Sequence, residues 1–292
     1  MVINKKSKQW PLRWDLLSRY RLIEIIAYWE GRLTTKHLCD AFGIGRQQAS
    51  KDINTYLKEY GASNLSYDAY QKGYVPTPRF MPVFTSGHVE EYLQLVARKQ
   101  DLQQTFTDLG VGPDHSEILQ VPLRNTNPAV IRVLVKGIRE QQRVEVDYVS
   151  INSPDDEGRI IVPHSLVNTG LRWHVRAWCE KNQAYRDFVL SRFRGEASIL
   201  GAPLSELPSD ENWHKHVEIR VTADKRLSAA QKAVVVRDYG MVNGRLTITT
   251  RAALVYYALQ QLNIDPHSVH PKPEAQQIVV DNLDELKPYL FE

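Results

Sequence analysis

Two short helical patterns, separated by the triplet Gly-Ile-Gly at residues 43–45, constrain the fold of the N-terminal part of the chain. The first pattern begins at an N-cap threonine, either Thr34 or Thr35, and ends at a glycine. The second pattern repeats apolar residues at the i, i+4, i+7, i+8 spacing of one buried stripe. That stripe consists of Ala49, Ile53, Tyr56 and Leu57. The spacing predicts two helices joined by a tight turn.

The start of the second helix carries polar residues on the face opposite this stripe. On an isolated amphipathic helix, a solvated surface is the ordinary interpretation of such a face. The preceding helix and turn change that interpretation, because together they form a helix-turn-helix. Arginine and glutamine in this position can bind base edges, whereas serine and lysine suit phosphates. The candidate DNA-binding residues on the two helices are Thr35, Arg46, Gln47, Gln48, Ser50 and Lys51.

Flanking segments complete a winged helix-turn-helix domain, which we assign to residues 1–80. Residues 13–31 repeat apolar side chains at helical spacing and end at a glycine, which predicts a supporting helix. Residues 64–78 contain two extended runs joined by a polar turn and followed by prolines, which predicts a hairpin. Lys72 and Tyr74 lie on this wing, within reach of a DNA backbone.

The distribution of charge supports this assignment. The whole chain has a net charge of +3, but residues 1–80 hold 13 Lys/Arg against 7 Asp/Glu. The remaining residues therefore have a small negative balance. Such an asymmetry is expected when one domain meets a polyanion and the rest of the chain does not.

Residues 81–128 are assigned as a helical linker. Between residues 85 and 110, apolar side chains recur at spacings of three and four. These side chains are Val89, Tyr92, Leu93, Val96, Leu102, Phe106 and Leu109. A further amphipathic helix is predicted at residues 127–142. Helices between two domains can serve as a linker or as a dimer contact, and the sequence leaves both open.

The hydrophobic period then changes. Runs rich in Val, Ile, Trp, Tyr and Phe occupy residues 143–151, 158–167, 171–180 and 184–195, with polar turns between them. Several closely spaced strands that follow a helix in the sequence predict a small β-barrel or a strongly bent sheet. From about Trp213, strands and helices alternate, which predicts a small α+β domain. The expected fold class is multidomain α+β.

Motifs that would indicate an enzyme are absent from the sequence, which contains no G-x-x-x-x-G-K-[ST], G-x-S-x-G, H-E-x-x-H or G-x-G-x-x-G. No run approaches the length of a membrane span, and the start lacks the apolar core of a signal peptide. We therefore expect a cytoplasmic protein. Cys39 and Cys179 have no partner at metal-ligand spacing and are expected to be reduced core residues. We expect no catalysis, metal or cofactor.

The strand-rich region carries a distinctive set of residues. The set comprises Trp173, the pair Ala177 and Trp178, the run from Tyr185 to Phe188, and Ser191 with Arg192. With them, residues 130–201 resemble the WYL domain, a small Sm/SH3-like barrel named after a Trp-Tyr-Leu triplet. Here the triplet is Trp-His-Val, so two of the three naming residues differ. Trp173 and Trp178 are expected in the barrel core.

A winged helix-turn-helix, a WYL domain at residues 129–204 and a C-terminal extension at residues 205–292 together resemble bacterial WYL transcription regulators. The length and linker helices are most similar to the BrxR/CapW group. This resemblance implies a homodimeric repressor of an anti-phage defence operon that binds double-stranded DNA at an inverted-repeat operator. A nucleic-acid-sensing subunit of a defence complex is the alternative, and an enzyme of unfamiliar motif is a third.

The resemblance also implies an effector pocket in the barrel. By position, its residues are Tyr148, Ser150, His164, Arg172, Arg186 and Arg192. Alternation supports part of this set, because residues 186, 188, 190 and 192 share one face of an extended strand. Several arginines with a Tyr and a His favour an anionic, nucleotide-like or nucleic-acid-derived effector. Without the resemblance, surface ion pairs with Asp187 or Glu180 would be the simpler interpretation.

Overall fold

The computed structural model describes residues 12–103, 112, 117, 124–151, 154 and 157–290. The chain forms two compact units, residues 1–120 and residues 121–292. Both units combine helices with antiparallel sheets, which confirms the expected α+β fold class. No helix in the described part of the chain is both long and apolar enough to cross a bilayer.

Three helices form the centre of the first unit: α1 at Trp14–Glu30, α2 at Thr35–Phe42 and α3 at Arg46–Glu59. α1 and α2 end at Gly31 and Gly43, whose φ angles of 75° and 62° are left-handed. Glycine adopts this conformation without steric cost, so it closes both helices. The backbone N–H of Thr34 donates to Nδ1 of His37 at 3.1 Å and caps the start of α2. The predicted pair of helices and its glycine turn are confirmed.

A two-stranded hairpin follows α3, with β1 at Leu65–Asp68 and β2 at Gly73–Pro76. Lys72 adopts a φ of 52° in the turn between the strands. Tyr74 also exchanges two backbone hydrogen bonds of 2.8 Å with Leu33, which lies between α1 and α2. The hairpin is thereby attached to the helices, and the predicted wing is confirmed.

The apolar core of this unit lies among α1, α2 and α3. Large, fully buried side chains there are Tyr20, Ile23, Ile26, Leu38, Ile53 and Tyr56. α4, at Val89–Gln103, packs Tyr92 and Leu95 against the same core. The helix predicted after residue 85 is therefore present, and its first turns cover the N-terminal core. The side chain of Leu102, and the whole of Phe106 and Leu109, lie outside the described residues.

A buried carboxylate fixes the chain that leaves the wing. Glu24 is fully buried and accepts five hydrogen bonds of 2.8–3.0 Å. The donors are the backbone N–H groups of Val83, Phe84 and Thr85 and the hydroxyls of Thr85 and Tyr56. Asn64 extends the network, because its Nδ2 donates to the Tyr56 hydroxyl at 2.7 Å and to the Met81 carbonyl at 2.8 Å. The segment after the wing is thus held to both α1 and α3.

The second unit begins with α5 at Pro128–Glu140, followed by a five-stranded antiparallel sheet. Its strands are β3 at Arg143–Tyr148, β4 at Glu157–Asn168, β5 at Trp173–Cys179, β6 at Ala184–Val189 and β7 at Phe193–Gly201. They lie in the order β6-β5-β4-β3-β7, with shifts of register in β4 and in the β3–β7 pair. Such irregularities bend a sheet. A helix followed by closely spaced, bent strands was predicted and is confirmed.

The remainder of this unit is a three-stranded sheet with helices. Its elements are α6 at Glu211–His214, β8 at His216–Ala223, α7 at Ala229–Asp238, β9 at Arg245–Arg251, α8 at Val255–Gln261, β10 at Ile278–Val280 and α9 at Leu283–Leu286. The strands lie in the order β10-β8-β9. Ile219, Val221 and Leu259 are fully buried between sheet and helices. The predicted alternation of strands and helices is confirmed.

Two details of the barrel differ from the prediction. Trp178 is 8% exposed and belongs to the interior, but Trp173 is 50% exposed at the start of β5, so its assignment to the core was wrong. The alternation predicted from residue 186 to residue 192 ends at Val189, because Leu190–Arg192 forms a 3-10 turn between β6 and β7. Arg186 and Arg192 therefore do not share a strand face.

Candidate DNA-binding and effector sites

The outward face of α3 presents the residues predicted to bind DNA. Arg46, Gln47, Gln48 and Lys51 are exposed and Ser50 is half-buried, while Ala49 turns into the core. A shallow groove follows this face. It is lined by Gln47, Ser50, Lys51, Asn54, Thr55 and Lys58. The sequence prediction did not include Asn54, Thr55 and Lys58, although their helical spacing from Gln47 and Lys51 places them on the same face.

Gln48 is held by the protein itself. Its Nε2 donates to Oδ1 of Asp52 at 2.7 Å, and the other Asp52 oxygen lies 2.9 Å from Nε of Arg19 on α1. Asp52 is buried, so this ion pair fixes α3 against α1. Gln48 is exposed, and within the described residues its Oε1 atom makes no hydrogen bond.

The N-terminus of α3 favours negative charge. Gly45 provides no capping side chain, and the first turn contains no acidic residue. Free N–H groups and the helix dipole make such an end attractive to phosphate oxygens. Arg46 is the first residue of the helix and adds a full positive charge.

The other predicted contacts lie around this helix. Thr35 is half-buried at the first position of α2, and Lys72 is exposed in the wing turn. Tyr74 is half-buried, with its ring against that of Tyr67 at 5.4 Å, so much of its surface is used within the wing. Tyr70 was missed, yet it is 96% exposed at the wing tip. Its position in a polar turn was the available signal.

The six predicted effector residues lie on several elements of the barrel. The Tyr148 ring is buried between Phe188 and Phe193, and its hydroxyl accepts a hydrogen bond from the backbone N–H of Val189 at 3.1 Å. Ser150 is half-buried two residues after β3. Tyr148 therefore contributes to the barrel core in this structure.

His164 lies on another face of the barrel. Its Nδ1 is 2.9 Å from Oγ of Ser165, and its Nε2 is 3.1 Å from Oδ2 of Asp210. Burial lowers the pKa of this imidazole, although Asp210 opposes the shift. Both ring nitrogens thus have partners within the protein, and they connect β4 to the segment before α6.

Asp210 belongs to a buried ionic network that the sequence did not reveal. Arg176 donates to both oxygens of Asp210, at 2.6 and 2.9 Å, and to Oδ1 of Asp187 at 3.0 Å. The hydroxyl of Tyr257 donates to the other Asp187 oxygen at 3.1 Å. Burial disfavours the charge of Asp210, but the hydrogen bonds and charge of Arg176 outweigh it and lower the pKa of this carboxyl. The network joins the barrel to α8.

Arg186 faces away from this network. In the β5–β6 pairing, Arg176 lies opposite Asp187 whereas Arg186 lies opposite Ala177, and successive strand residues point to opposite faces. Glu180 instead pairs with Arg143 at 2.6 Å. Within the described residues, neither Asp187 nor Glu180 pairs with the three predicted effector arginines. Simple surface ion pairing therefore does not account for them.

The charges of Arg172 and Arg192 act on His174. This histidine is 2% exposed and its ring is 5.1 Å from that of Tyr257. Burial, followed by the charges of Arg172, Arg192 and Arg124, lowers the pKa of His174 to about 4. The imidazole is therefore neutral at physiological pH, in a positive environment. The described parts of the chain contain no group of three or more His, Cys, Asp or Glu side chains that could bind a metal ion.

Three family models match separate parts of the chain. The BrxR transcriptional regulator winged helix-turn-helix domain matches residues 15–98, the WYL domain matches residues 129–196, and the BrxR transcriptional regulator C-terminal dimerization domain matches residues 216–286. The DNA-binding transcriptional repressor CapW of Escherichia coli (strain KTE188) is 35% identical over 285 residues, which is 97% of this chain and 94% of that protein. The chain belongs to the BrxR/CapW family of WYL-domain transcription regulators.

Two further relatives of the BrxR/CapW family carry the same name, DNA-binding transcriptional repressor CapW. The protein of Pseudomonas aeruginosa is 34% identical over 277 residues, and the alignment covers 94% of this chain and 92% of that protein. That of Stenotrophomonas maltophilia is 30% identical over 283 residues, covering 96% and 94%. Among solved structures, proteasome accessory factor B/C (PafBC) of Arthrobacter aurescens is similar at a TM-score of 0.31 and 15% sequence identity. The alignment covers 94% of this chain and 46% of the PafBC chain. That score is too low to inform the fold.

The family matches assign the elements of both units. The winged helix-turn-helix match extends from α1 into α4, in agreement with the packing of α4 on the N-terminal core. The WYL match contains all six predicted effector residues. The dimerization match contains Tyr257, so the buried network joins the WYL domain to the BrxR/CapW dimerization domain.

Proposed function

We propose that this BrxR/CapW family member is a homodimeric, sequence-specific DNA-binding repressor of an anti-phage defence operon, and that an anionic nucleotide or nucleic-acid ligand at its WYL domain releases it. The exposed polar face at the start of α3 is the observation that carries the DNA-binding part. The CapW relatives are named as DNA-binding transcriptional repressors, which supports repression. The match to a dimerization domain supports the dimer, and the defence role comes from the family resemblance.

Substitutions at the start of α3 test whether this helix recognises the bases of the operator. Alanine in place of Arg46 or Gln47 is expected to cost about 1–3 kcal/mol at the operator and to relax preference at one or two base positions, because each side chain can bind a base edge. Lys51→Ala should weaken binding to all sequences alike, since a phosphate contact carries no sequence information. Gel-shift titrations against the operator and a scrambled duplex measure both effects.

A matched control removes a positive charge elsewhere. Lys225 is exposed in the second unit, so Lys225→Ala should leave operator affinity unchanged. The recognition-helix assignment would be refuted by a triple alanine variant at Arg46, Gln47 and Gln48 that binds the operator like the parent protein.

Dimerisation is tested through the geometry of the operator. One winged domain buries little DNA surface, so specificity requires two copies related by a twofold axis. We expect a dimer in light scattering, and an inverted-repeat operator with half-sites about one helical turn apart or a multiple of it. Capture of genomic fragments should enrich a few palindromic promoter sites. A monomer with tight binding to a single half-site contradicts the dimer, and the absence of enriched sites favours a sensing subunit.

The effector part is tested in cells. Arg186 and Arg192 have no ion pair among the described residues, and guanidinium groups bind phosphate oxygens bidentately. Arg186→Ala and Arg192→Ala should leave operator binding of the purified protein nearly unchanged but abolish release, so that a promoter reporter stays repressed during phage challenge. If both variants derepress like the parent protein, these arginines do not bind the effector.

A further inference from the structure

A buried carboxylate lies beneath the candidate DNA-binding face of α3. The buried residues of this helix are Ala49, Asp52, Ile53 and Tyr56, and Asp52 is the charged member of that set. Asp52 is 4% exposed and follows the exposed Gln48 by about one helical turn. The two side chains meet, because Nε2 of Gln48 donates to Oδ1 of Asp52 at 2.7 Å. A side chain of the candidate DNA-binding face is thus bound to a charge in the interior.

The other oxygen of Asp52 shows how this charge is balanced. Oδ2 lies 2.9 Å from Nε of Arg19 on α1, and the Arg19 side chain is only 12% exposed. Burial of a charge costs free energy, and an opposite charge in contact offsets much of that cost. A well-packed apolar pair in the same position is often at least as stable as a buried ion pair. Stability alone therefore does not account for Asp52, whereas an apolar residue could not bind the amide of Gln48.

The hydrogen bond determines which end of the Gln48 amide faces the protein. A glutamine amide has a donor nitrogen and an acceptor oxygen of similar size, which exchange places when the last side-chain bond rotates. An ionised carboxylate accepts hydrogen bonds and donates none, so only Nε2 can face Asp52. One N–H of Nε2 is used in this contact. The second N–H and Oε1 make no hydrogen bond within the described residues.

We propose that Asp52 is a positioning residue for base recognition, which holds the amide of Gln48 in the orientation that recognises an adenine of the operator. In this arrangement Oε1 accepts a hydrogen bond from N6 of the adenine, and the second N–H of Nε2 donates to N7. The inference rests on the proposed DNA-binding function, and it specifies a residue and a base that this function leaves open.

Adenine is the base that fits the fixed amide. In the major groove it presents N7 as an acceptor beside N6 as a donor, which complements an amide with one free N–H beside its oxygen. Guanine presents two acceptors, N7 and O6, so one of them would lie against Oε1. An amide that turned freely would avoid this conflict by offering Nε2 instead. The contact with Asp52 also reduces the number of conformations that Gln48 loses on binding, which favours the complex.

The base pair that Gln48 contacts is located first. Gel-shift titrations of the parent protein and of Gln48→Ala use operators in which each base pair is changed in turn. They identify the position at which only the parent protein discriminates. There the parent protein should prefer A·T over G·C by about tenfold, as expected for one bidentate contact. A preference for G·C, or the absence of any position at which the two proteins differ, overturns the proposal.

The positioning role is tested with Asp52→Asn. Asparagine has nearly the same shape, but its amide offers a donor as well as an acceptor, so Gln48 can face it with either end. The preference for A·T over G·C at this position should therefore fall to within about twofold. Asp52→Asn in addition to Gln48→Ala should change the preference no further than Gln48→Ala alone, because the carboxylate acts through Gln48. A purely structural role would weaken binding to both operators by the same factor, and an unchanged preference overturns the proposal.

Two control variants separate amide orientation from charge and packing. Asp40 is exposed on α2, so Asp40→Asn makes the same change of net charge away from Gln48. A change of net charge affects binding to all DNA sequences alike, and this variant should keep the full preference for A·T. Arg19→Lys retains a positive charge beside Asp52 and should also keep the preference. If Arg19→Lys loses the preference as completely as Asp52→Asn, the packing of α3 on α1 sets it and the proposal is wrong.

The hydrogen bond itself is measured by NMR in the absence of DNA. In full-length protein made with isotope-labelled glutamine, the side-chain amide of Gln48 is assigned by its absence from Gln48→Ala. The N–H bound to Asp52 should exchange with water about tenfold more slowly than the side-chain amide of the exposed Gln47, as expected for a hydrogen bond to a charged group. Equal exchange overturns the positioning role, even if Asp52→Asn does not fold. Absence of operator binding by the parent protein would instead refute the repressor function, and this measurement would still test the contact.

Discussion

Replacement of Glu24 with alanine is expected to destabilise the N-terminal unit by about 3–5 kcal/mol. The carboxylate accepts hydrogen bonds from three backbone N–H groups and two hydroxyls, and it is fully buried on α1. Alanine removes all five acceptor contacts at once. The donors lie in α3 and in the chain after the wing, so the loss affects three parts of the unit together.

The magnitude follows from which donors can reach water. Hydrogen bonds to a charged group contribute about 1.5–3 kcal/mol each, but five such terms would exceed the stability of many domains, about 5–15 kcal/mol. Val83 and Thr85 are only partly buried, so water can replace their lost acceptor. The N–H of Phe84 and the hydroxyl of Tyr56 are buried. These two donors account for most of the loss, and relief from burying the carboxylate reduces the total.

Hydrogen exchange of the full-length protein measures this change. Backbone amides in α1 and α3 do not bond to Glu24, so their protection reports the stability of the unit. Exchange should accelerate by about 10²–10⁴-fold in Glu24→Ala, since each 1.4 kcal/mol is a factor of ten. Tyr56→Phe is the graded comparison: it removes one of the five donors and should cost about 1.5–3 kcal/mol, less than Glu24→Ala. If α1 and α3 in Glu24→Ala exchange within tenfold of the parent protein, the carboxylate does not hold the unit together.

Two further predictions concern the second unit. Acidification from pH 6.5 to 4 should destabilise it by roughly 3 kcal/mol through His174, because the folded imidazole has a pKa of about 4 whereas the unfolded one titrates near 6.5. The unfolded chain binds the proton first, so this stability is complete above pH 6.5 and is lost as the pH falls to 4. Urea unfolding at both pH values should show a loss about 3 kcal/mol larger in the parent protein than in His174→Phe, because the other titrating groups are common to both proteins. Equal losses would contradict the reasoning. Trp178→Ala should cost about 3–5 kcal/mol, whereas half-exposed Trp173 should cost clearly less when truncated. Thermal unfolding separates them, and equal costs would contradict the burial argument.

Elements with a strong local pattern could be predicted from the sequence. Gly31 and Gly43 end their helices because left-handed φ angles suit glycine, and the polar turn of the wing lies between two short β runs. The exposed face of α3 followed from helical spacing alone. In each case the neighbouring residues in the chain determine the structure.

Features that depend on tertiary packing could not be predicted in this way. Glu24 and Arg176 occur among apolar residues, and nothing nearby in the sequence shows that each is buried with distant partners. The 3-10 turn after Val189 interrupts an alternation that the sequence continues. Tyr148 lies in the core because its ring fits between Phe188 and Phe193, whereas position alone assigned it to a pocket.

The bonds of Glu24 also determine where the DNA-binding part can be separated from the rest of the chain. Four of its five donors lie at residues 83–85, beyond the boundary at residue 80 that the sequence pattern suggests. A fragment that stops at residue 80 would contain all of the recognition helix and the wing. In that fragment the buried carboxylate of Glu24 would keep only one of its five hydrogen-bond donors, the hydroxyl of Tyr56. During synthesis the carboxylate of Glu24 cannot form all of its hydrogen bonds until Thr85 has been added. The shortest fragment that can fold and bind DNA should therefore include the turn after the wing, and the first turns of α4 would close its core.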